Sequence, residues 1–205
     1  MSTPARRGRP PRSEHDGADR RRAILTAARE SFAAQGYKGT TMRGVARAAG
    51  VDAALVHHYF GAKEDLFLAA LELPLDPRTV LPTVLAGDLD TAAWRLLRTV
   101  LTLWDEPAAR LQLVAVARAG LASPAESNPL RDGLLPLILA PLAERLPGPD
   151  PVRRAQFVAT QMIGLLVARY VLAIEPLASL PREEVVAWVA PNLQRYFTGQ
   201  PQQEG

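Results

Sequence analysis

The chain has 205 residues, 48% of them hydrophobic and 22% charged, with a mean hydropathy of −0.02. These globular proportions exclude wholesale disorder and a membrane-embedded bundle. No cysteine is present and the only histidines are His15, His57 and His58. That removes disulfides, thiolate nucleophiles and iron–sulfur or cysteine-based zinc centres, and fits a reducing cytoplasm. The formal charge of +3 divides unevenly: residues 1–63 carry 12 Lys+Arg against 5 Asp+Glu, and residues 64–205 carry 12 against 16. A front at +7 and a rear at −4 imply two tasks, one of them on a polyanion.

The first segment, 1–18, reads as a disordered basic arm. Its basic residues have no apolar run behind them, so it is not a secretory signal. Within it Arg6-Arg7-Gly8-Arg9-Pro10-Pro11-Arg12 resembles an AT-hook core, in which Arg7, Arg9 and Arg12 would lie in a narrow A·T minor groove. The other reading is a basic tail attracted to phosphate regardless of sequence.

Helices follow near 19–35, 42–49 and 53–59. Ile24, Leu25, Ala28 and Phe32 share one face of the first at helical spacing, with Gly36 as its cap and Tyr37 packed back beneath it. Arg20–Arg22 lie outside that face, as a solvated surface or as phosphate contacts. Thr40 or Thr41 caps the second helix, whose inner face is Val45, Ala46 and Ala49. Gly50 makes the turn, Val51 pins it, and Asp52 caps the third helix. Leu55 or Val56, with Phe60, holds that short helix on the first, since it is too short to persist alone. A short helix, a Gly-containing turn and a second short helix form a helix-turn-helix, here about 41–60. The outer face then holds Ala53, Ala54, His57 and His58, small residues followed by hydrogen-bond donors. His57 and His58 as a metal pair is the rival reading, but adjacent helical residues diverge by about 100° and no third ligand is near; no metal or other cofactor is expected.

Thr40-Thr41-Met42-Arg43-Gly44-Val45-Ala46-Arg47-Ala48-Ala49-Gly50-Val51 and Leu55-Val56-His57-His58-Tyr59-Phe60-Gly61-Ala62-Lys63-Glu64-Asp65-Leu66 resemble the DNA-binding domain of the TetR family of transcriptional repressors. Ile24-Leu25-x-Ala27-Ala28-x-x-x-Phe32-x-x-x-Gly36-Tyr37 is similar to that domain's first helix, so the resemblance covers roughly 20–70. It implies a base or phosphate contact from Arg43, base-facing positions at Ala53 and Ala54, and phosphate contacts from His57, Tyr59 and Lys63; Thr41 and His58 are further DNA-contact candidates. His57 departs from the family's more usual tyrosine, and Ala62 from its usual serine cap. The missing cap costs about 1 kcal/mol, which Glu64 and Asp65 offset in part through the helix dipole.

Further helices follow near 63–72, 77–86, 91–105, 107–121, 130–146, 151–174 and 182–198. Pro136 and Pro141 predict a kink or split in 130–146. The longest uncharged run, Ala155–Ala168, has 14 residues, short of the 18–20 or so that a membrane span needs. Trp94, Arg98, Leu101, Trp104, Gln112, Val116 and Arg118 are candidates for an apolar ligand pocket with a few polar groups; equally, the tryptophans simply fill the core. Val158, Met162, Leu165, Arg169 and Leu172 are candidates for a dimer interface, which the resemblance implies as a four-helix contact between two copies. No histidine follows His58, so no histidine general-base site can exist in the rear, and no catalytic residues are expected.

The expected fold is all-α: a DNA-binding unit over 19–66, a ligand-binding and dimerising domain over 67–200, and a tail over 201–205. The expected function is a cytoplasmic homodimeric regulator, a repressor that binds a palindromic double-stranded DNA operator and is released by an apolar small molecule, with no membrane partner. The rival reading is a helical enzyme or a non-DNA ligand-binding bundle using the rear cavity.

Overall fold

A computed structural model describes residues 14–73, 76–123 and 128–199. The arm residues Arg7, Arg9 and Arg12, and the tail 201–205, lie outside the described residues. Those described form ten α-helices and no strand. None of these helices is long and apolar enough to cross a membrane.

The front unit comprises α1 (Glu14–Gly39), α2 (Met42–Ala48), α3 (Ala53–Phe60) and α4 (Lys63–Leu71). The helix predicted to end at residue 35 runs to Gly39 through a kink at Gly36, whose φ of 68° and ψ of 177° break the helical path. A side chain would be strained at that φ. Buried Thr40 closes the kink, its hydroxyl donating to the Gly36 carbonyl at 2.8 Å. Thr41 is therefore the residue left to cap α2, and its Oγ1 accepts from the Gly44 N–H at 3.0 Å.

After Gly50, at φ +66°, Asp52 caps α3 by accepting from the Ala54 N–H at 2.7 Å. Val56 and Phe60 then bury into a core with Ile24, Leu25, Ala28, Phe32, Val45, Leu66 and Phe67. This is how an eight-residue helix, too short to be stable alone, becomes fixed.

The rear unit comprises α5 (Pro77–Leu85), α6 (Ala92–Asp105), α7 (Pro107–Ala122), α8 (Leu135–Arg145), α9 (Pro151–Leu166) and α10 (Arg182–Thr198). Its core is drawn mainly from α6, α9 and α10. Leu97 and Leu101 meet Val185, Val186, Leu193 and Phe197 there, all at 1% exposure or less. Gln194 ties α10 to the start of α6, accepting from the Ala93 N–H at 3.0 Å and donating to the Leu89 carbonyl at 2.6 Å.

The two long rear blocks are each shorter as α-helix than their patterns predict. Leu130–Leu134 and Val167–Val171 are π-helical turns, with the Leu172 N–H reaching the Val167 carbonyl at 2.8 Å. Pro136 follows the first of these turns in the opening turn of α8, where its missing N–H is harmless. The split expected in 130–146 thus falls at residues 134–135, while Pro141 stays inside α8.

Candidate nucleic-acid interface

The outer surface of α2 and α3 gathers the predicted DNA-contact residues. Thr41 is exposed as the N-cap of α2, and Arg43 is exposed in its first turn. Ala53 is half-buried and Ala54 exposed at the start of α3, with His57 and His58 exposed in its last turn. In a groove-facing helix the N-terminal residues contact base edges, and small ones there let the backbone approach closely.

His57 is oriented by its own turn: Nδ1 lies 3.0 Å from the Gly61 carbonyl oxygen. A hydrogen on Nδ1 donates there and leaves Nε2 outward. Nε2 can donate to a phosphate oxygen only in the imidazolium form. The rings of His58 and Tyr59 meet edge-on at 5.5 Å, and Tyr59 is half-buried, with its hydroxyl beside Gly17 of α1.

Lys63 opens α4, and its Nζ sits 4.4 Å from the centroid of the Tyr37 ring. Burial pushes its pKa down, opposed by the charge of Glu64. Tyr37 donates to Glu64 Oε1 at 2.9 Å. Its hydroxyl is pushed up to about 12 by burial first and the Glu64 hydrogen bond second. Ala62 makes no side-chain cap, and Asp65 Oδ2 reaches back to the Ala62 N–H at 3.1 Å. The N-terminus of α4 thus has one half of a capping box.

Beside α3 lies an open depression of ≈ 660 Å³ lined by Arg20, Gly50, Val51, Asp52, Ala54, Leu55 and His58. The sequence leaves Arg20 open between a solvated surface and a phosphate contact. In the structure it lines this depression together with His58. Tyr37 was read only as a packing residue, and its contact with Lys63 had no periodic signal. Among the described residues no group of three or more His, Asp or Glu is arranged to hold a metal.

The rear candidates divide between core and surface. Leu101 and Trp104 are buried, and Trp104 meets the Tyr170 ring edge-on at 5.9 Å. Trp94 and Val116 are half-buried, while Gln112 and Arg118 are exposed. Arg98 is exposed and pairs with Glu183 at 2.9 Å. Of the dimer candidates, Val158 and Leu165 are buried in their own chain's core and Met162 is half-buried. Arg169 is buried too, donating to the Leu177 and Leu180 carbonyls. Leu172 is exposed. The apolar residues that α9 and α10 leave open are Val152, Phe157, Ile163 and Trp188, the last 73% exposed.

Residues 24–70 match the family described as bacterial regulatory proteins, tetR family, and residues 90–197 match the tetracyclin repressor-like C-terminal domain. Among curated proteins the chain is similar to the HTH-type transcriptional regulator BetI of Rhizobium meliloti, 48% identical over 52 residues, which is 25% of this chain and 26% of that protein. It is also similar to the HTH-type transcriptional repressor AcnR of Corynebacterium glutamicum, 47% identical over 49 residues, 24% of this chain and 26% of that one. The chain thus aligns with about a quarter of the length of these curated relatives. A solved TetR-family regulator from Streptomyces coelicolor A3 is similar throughout: 36% identity, 93% of this chain and 99% of that chain covered, TM-score 0.58. With a rear-domain match spanning more than half the sequence and a relative covered almost end to end, the chain belongs to the TetR family of regulatory proteins.

Proposed function

We propose that the protein is a homodimeric transcriptional repressor that binds a palindromic operator and is released from it by a small apolar effector. One observation carries this reading: a capped three-helix unit leaves Ala54, His57 and His58 exposed on α3 and Arg43 exposed on α2, with Arg20 lining the depression beside α3. Arg43 is read as a base contact, since a bidentate arginine–guanine pair gives roughly 1–3 kcal/mol of discrimination. Thr41, His57, His58, Tyr59 and Lys63 are read as phosphate contacts, which set position rather than sequence. The names of the curated relatives, a regulator and a repressor, support the same reading.

In the dimer two copies of α3 read half-sites about 34–36 Å apart, one helical turn of DNA. The partner-facing surface is read on α9 and α10, from the open Phe157, Ile163 and Trp188. Gly164, with nothing within 4 Å of a built Cβ, lets a second helix approach closely. The DNA-binding unit is read as 19–66 and the effector and dimer domain as 67–200. An effector seated beside Trp94, Leu101 and Trp104 acts by favouring a spacing that no longer fits the operator, with α4 as the lever. A coupling of about 1–3 kcal/mol is typical of such switches.

Selection of bound duplexes from random DNA, followed by footprinting, tests the reading. A palindromic consensus with half-site centres one turn apart is expected. Absence of DNA binding at low salt would overturn it.

A further inference from the structure

Two parts of the chain far apart in sequence meet at one aromatic ring. On its outer side Tyr37 carries the Lys63 ammonium, 4.4 Å from the ring centroid. Its hydroxyl is pinned to Glu64, the neighbour of Lys63. On its inner side it packs edge-on against Phe67 at 5.0 Å and beside Phe32 at 6.0 Å. Against that same cluster rests the π-helical turn Leu130–Leu134 from the rear unit. A Cβ on Gly133 would lie 2.6 Å from Phe67 Cε1 and 2.9 Å from Tyr37 Cδ2, so only glycine permits this approach. Lys38, next to Tyr37, pairs with Asp132, next to Gly133, at 3.5 Å.

We propose that Tyr37 is the positioning residue for Lys63, and that Gly133 is where the rear unit acts on it. The inference rests on the reading of Lys63 as a phosphate contact. Lysine has a flexible four-carbon stem and a strongly hydrated head, so a free Lys63 would spread its charge over many orientations. The face of Tyr37 attracts the ammonium through the ring quadrupole and narrows that spread to positions over the ring. Tyr37 in turn sits between the first turn of α4 and the turn carrying Gly133. Displacement of that turn by as little as a methyl radius must move the ring or Phe67. π-helical turns recur where function requires a local departure from helical regularity, and this one supplies the close approach. Tyr37 touches no DNA in this scheme; it sets where the Lys63 charge stands.

A double-mutant cycle on the full-length protein tests the proposal, with affinity read on a duplex selected from random DNA. Lys63→Ala is expected to weaken binding. Tyr37→Leu, which keeps apolar bulk and removes the ring, is expected to weaken it about two- to fivefold, the scale of an exposed cation–π contact. In the Lys63→Ala background Tyr37→Leu should have no further effect. Tyr37→Phe keeps the ring and should retain most of the affinity, which also separates positioning from loss of packing. Gly133→Ala should weaken DNA binding in the parent and not in Lys63→Ala, with the far-UV spectrum unchanged in both. Equal losses from Tyr37→Leu with and without Lys63 would overturn the proposal, as would a Lys63→Ala variant with undiminished affinity. If the parent protein selects no duplex at all, the functional reading itself fails, an outcome distinct from either.

Discussion

The Arg78 guanidinium at the start of α5 donates to Asp65 in the first turn of α4 at 2.8 Å, while its Nη2 donates to Asp76 at 2.6 Å. Asp76 caps α5, accepting from the Arg78 N–H at 2.9 Å, and Asp65 supplies the one half of the α4 capping box that is formed. One cation therefore joins the N-terminal ends of the two helices that link the front and rear units. The hydrogen bonds from Arg78, first among the causes, lower the Asp76 pKa.

Arg78→Ala is expected to lower global stability only slightly. Arg78 and Asp65 side chains are 39% and 40% exposed, and exposed pairs of this kind contribute about 0.2–1 kcal/mol. Urea unfolding measures the change. A loss of several kcal/mol would mean that the bridge is shielded from water in solution.

Ala62→Ser should stabilise the protein by about 0.5–1 kcal/mol, the usual gain from supplying a missing N-cap acceptor. The backbone at Ala62 is already extended, with φ −87° and ψ 168°, so a serine hydroxyl can meet the orphan N–H groups of α4 without rearrangement. Asp65 already serves the reciprocal bond. A lowered melting temperature would show that serine disturbs that bond.

Arg43→Ala and Lys63→Ala should separate base reading from phosphate contact. Arg43→Ala should weaken the selected operator far more than random DNA, by roughly 1–3 kcal/mol. Lys63→Ala should weaken both similarly and reduce the salt slope by about 0.9 per lost contact. Titrations at several salt concentrations distinguish the two. Equal losses for both variants on both duplexes would remove Arg43 from the bases.

The front unit was largely legible because its signals are local. Asp52 stands two residues before the amide it caps, Gly50 sits where φ is positive, and Val56 and Phe60 share a face at helical spacing. The rear was legible as helices but not as surfaces. A helix with apolar residues on two sides does not reveal which side meets its own chain: Val158 and Leu165 turn inward, whereas Phe157 and Ile163 stay open. Nor do the π turns leave a trace in the pattern, since one inserted residue per turn shifts the apolar period too little to register over five positions. The contact of Gly133 with Tyr37 joins residues 96 positions apart, beyond the reach of any local rule.

Alkaline pH should destabilise the fold through two tyrosines. Tyr37 is pushed up to about 12, by burial and then by Glu64. Tyr170 is likewise pushed up to about 12, by burial and then by its hydrogen bond to Asp105. Both folded values exceed the ordinary 10.0, so each neutral hydroxyl contributes stability that is complete below about 10 and is lost as pH rises towards 12. Thermal unfolding across that range should fall faster for the parent than for Tyr37→Phe or Tyr170→Phe. Identical pH profiles for all three would remove these hydroxyls as the cause.

Trp188→Glu should convert the proposed dimer to monomers. In the single chain Trp188 is 73% exposed on α10, a large apolar side chain left mostly in water. Also between α9 and α10, Phe157 stacks on Tyr196 with ring centroids 5.3 Å apart. Large apolar residues that cluster in the open mark association surfaces, and aromatic anchors carry most of the energy at such contacts. A carboxylate buried in such a contact without a partner is costly, and that cost adds to the lost apolar burial. Sedimentation velocity should show the mass halve while the far-UV spectrum stays helical. Leu111→Glu, at a residue 75% exposed on α7, should leave the mass unchanged. The reverse pattern would move the interface from α9 and α10 to α7.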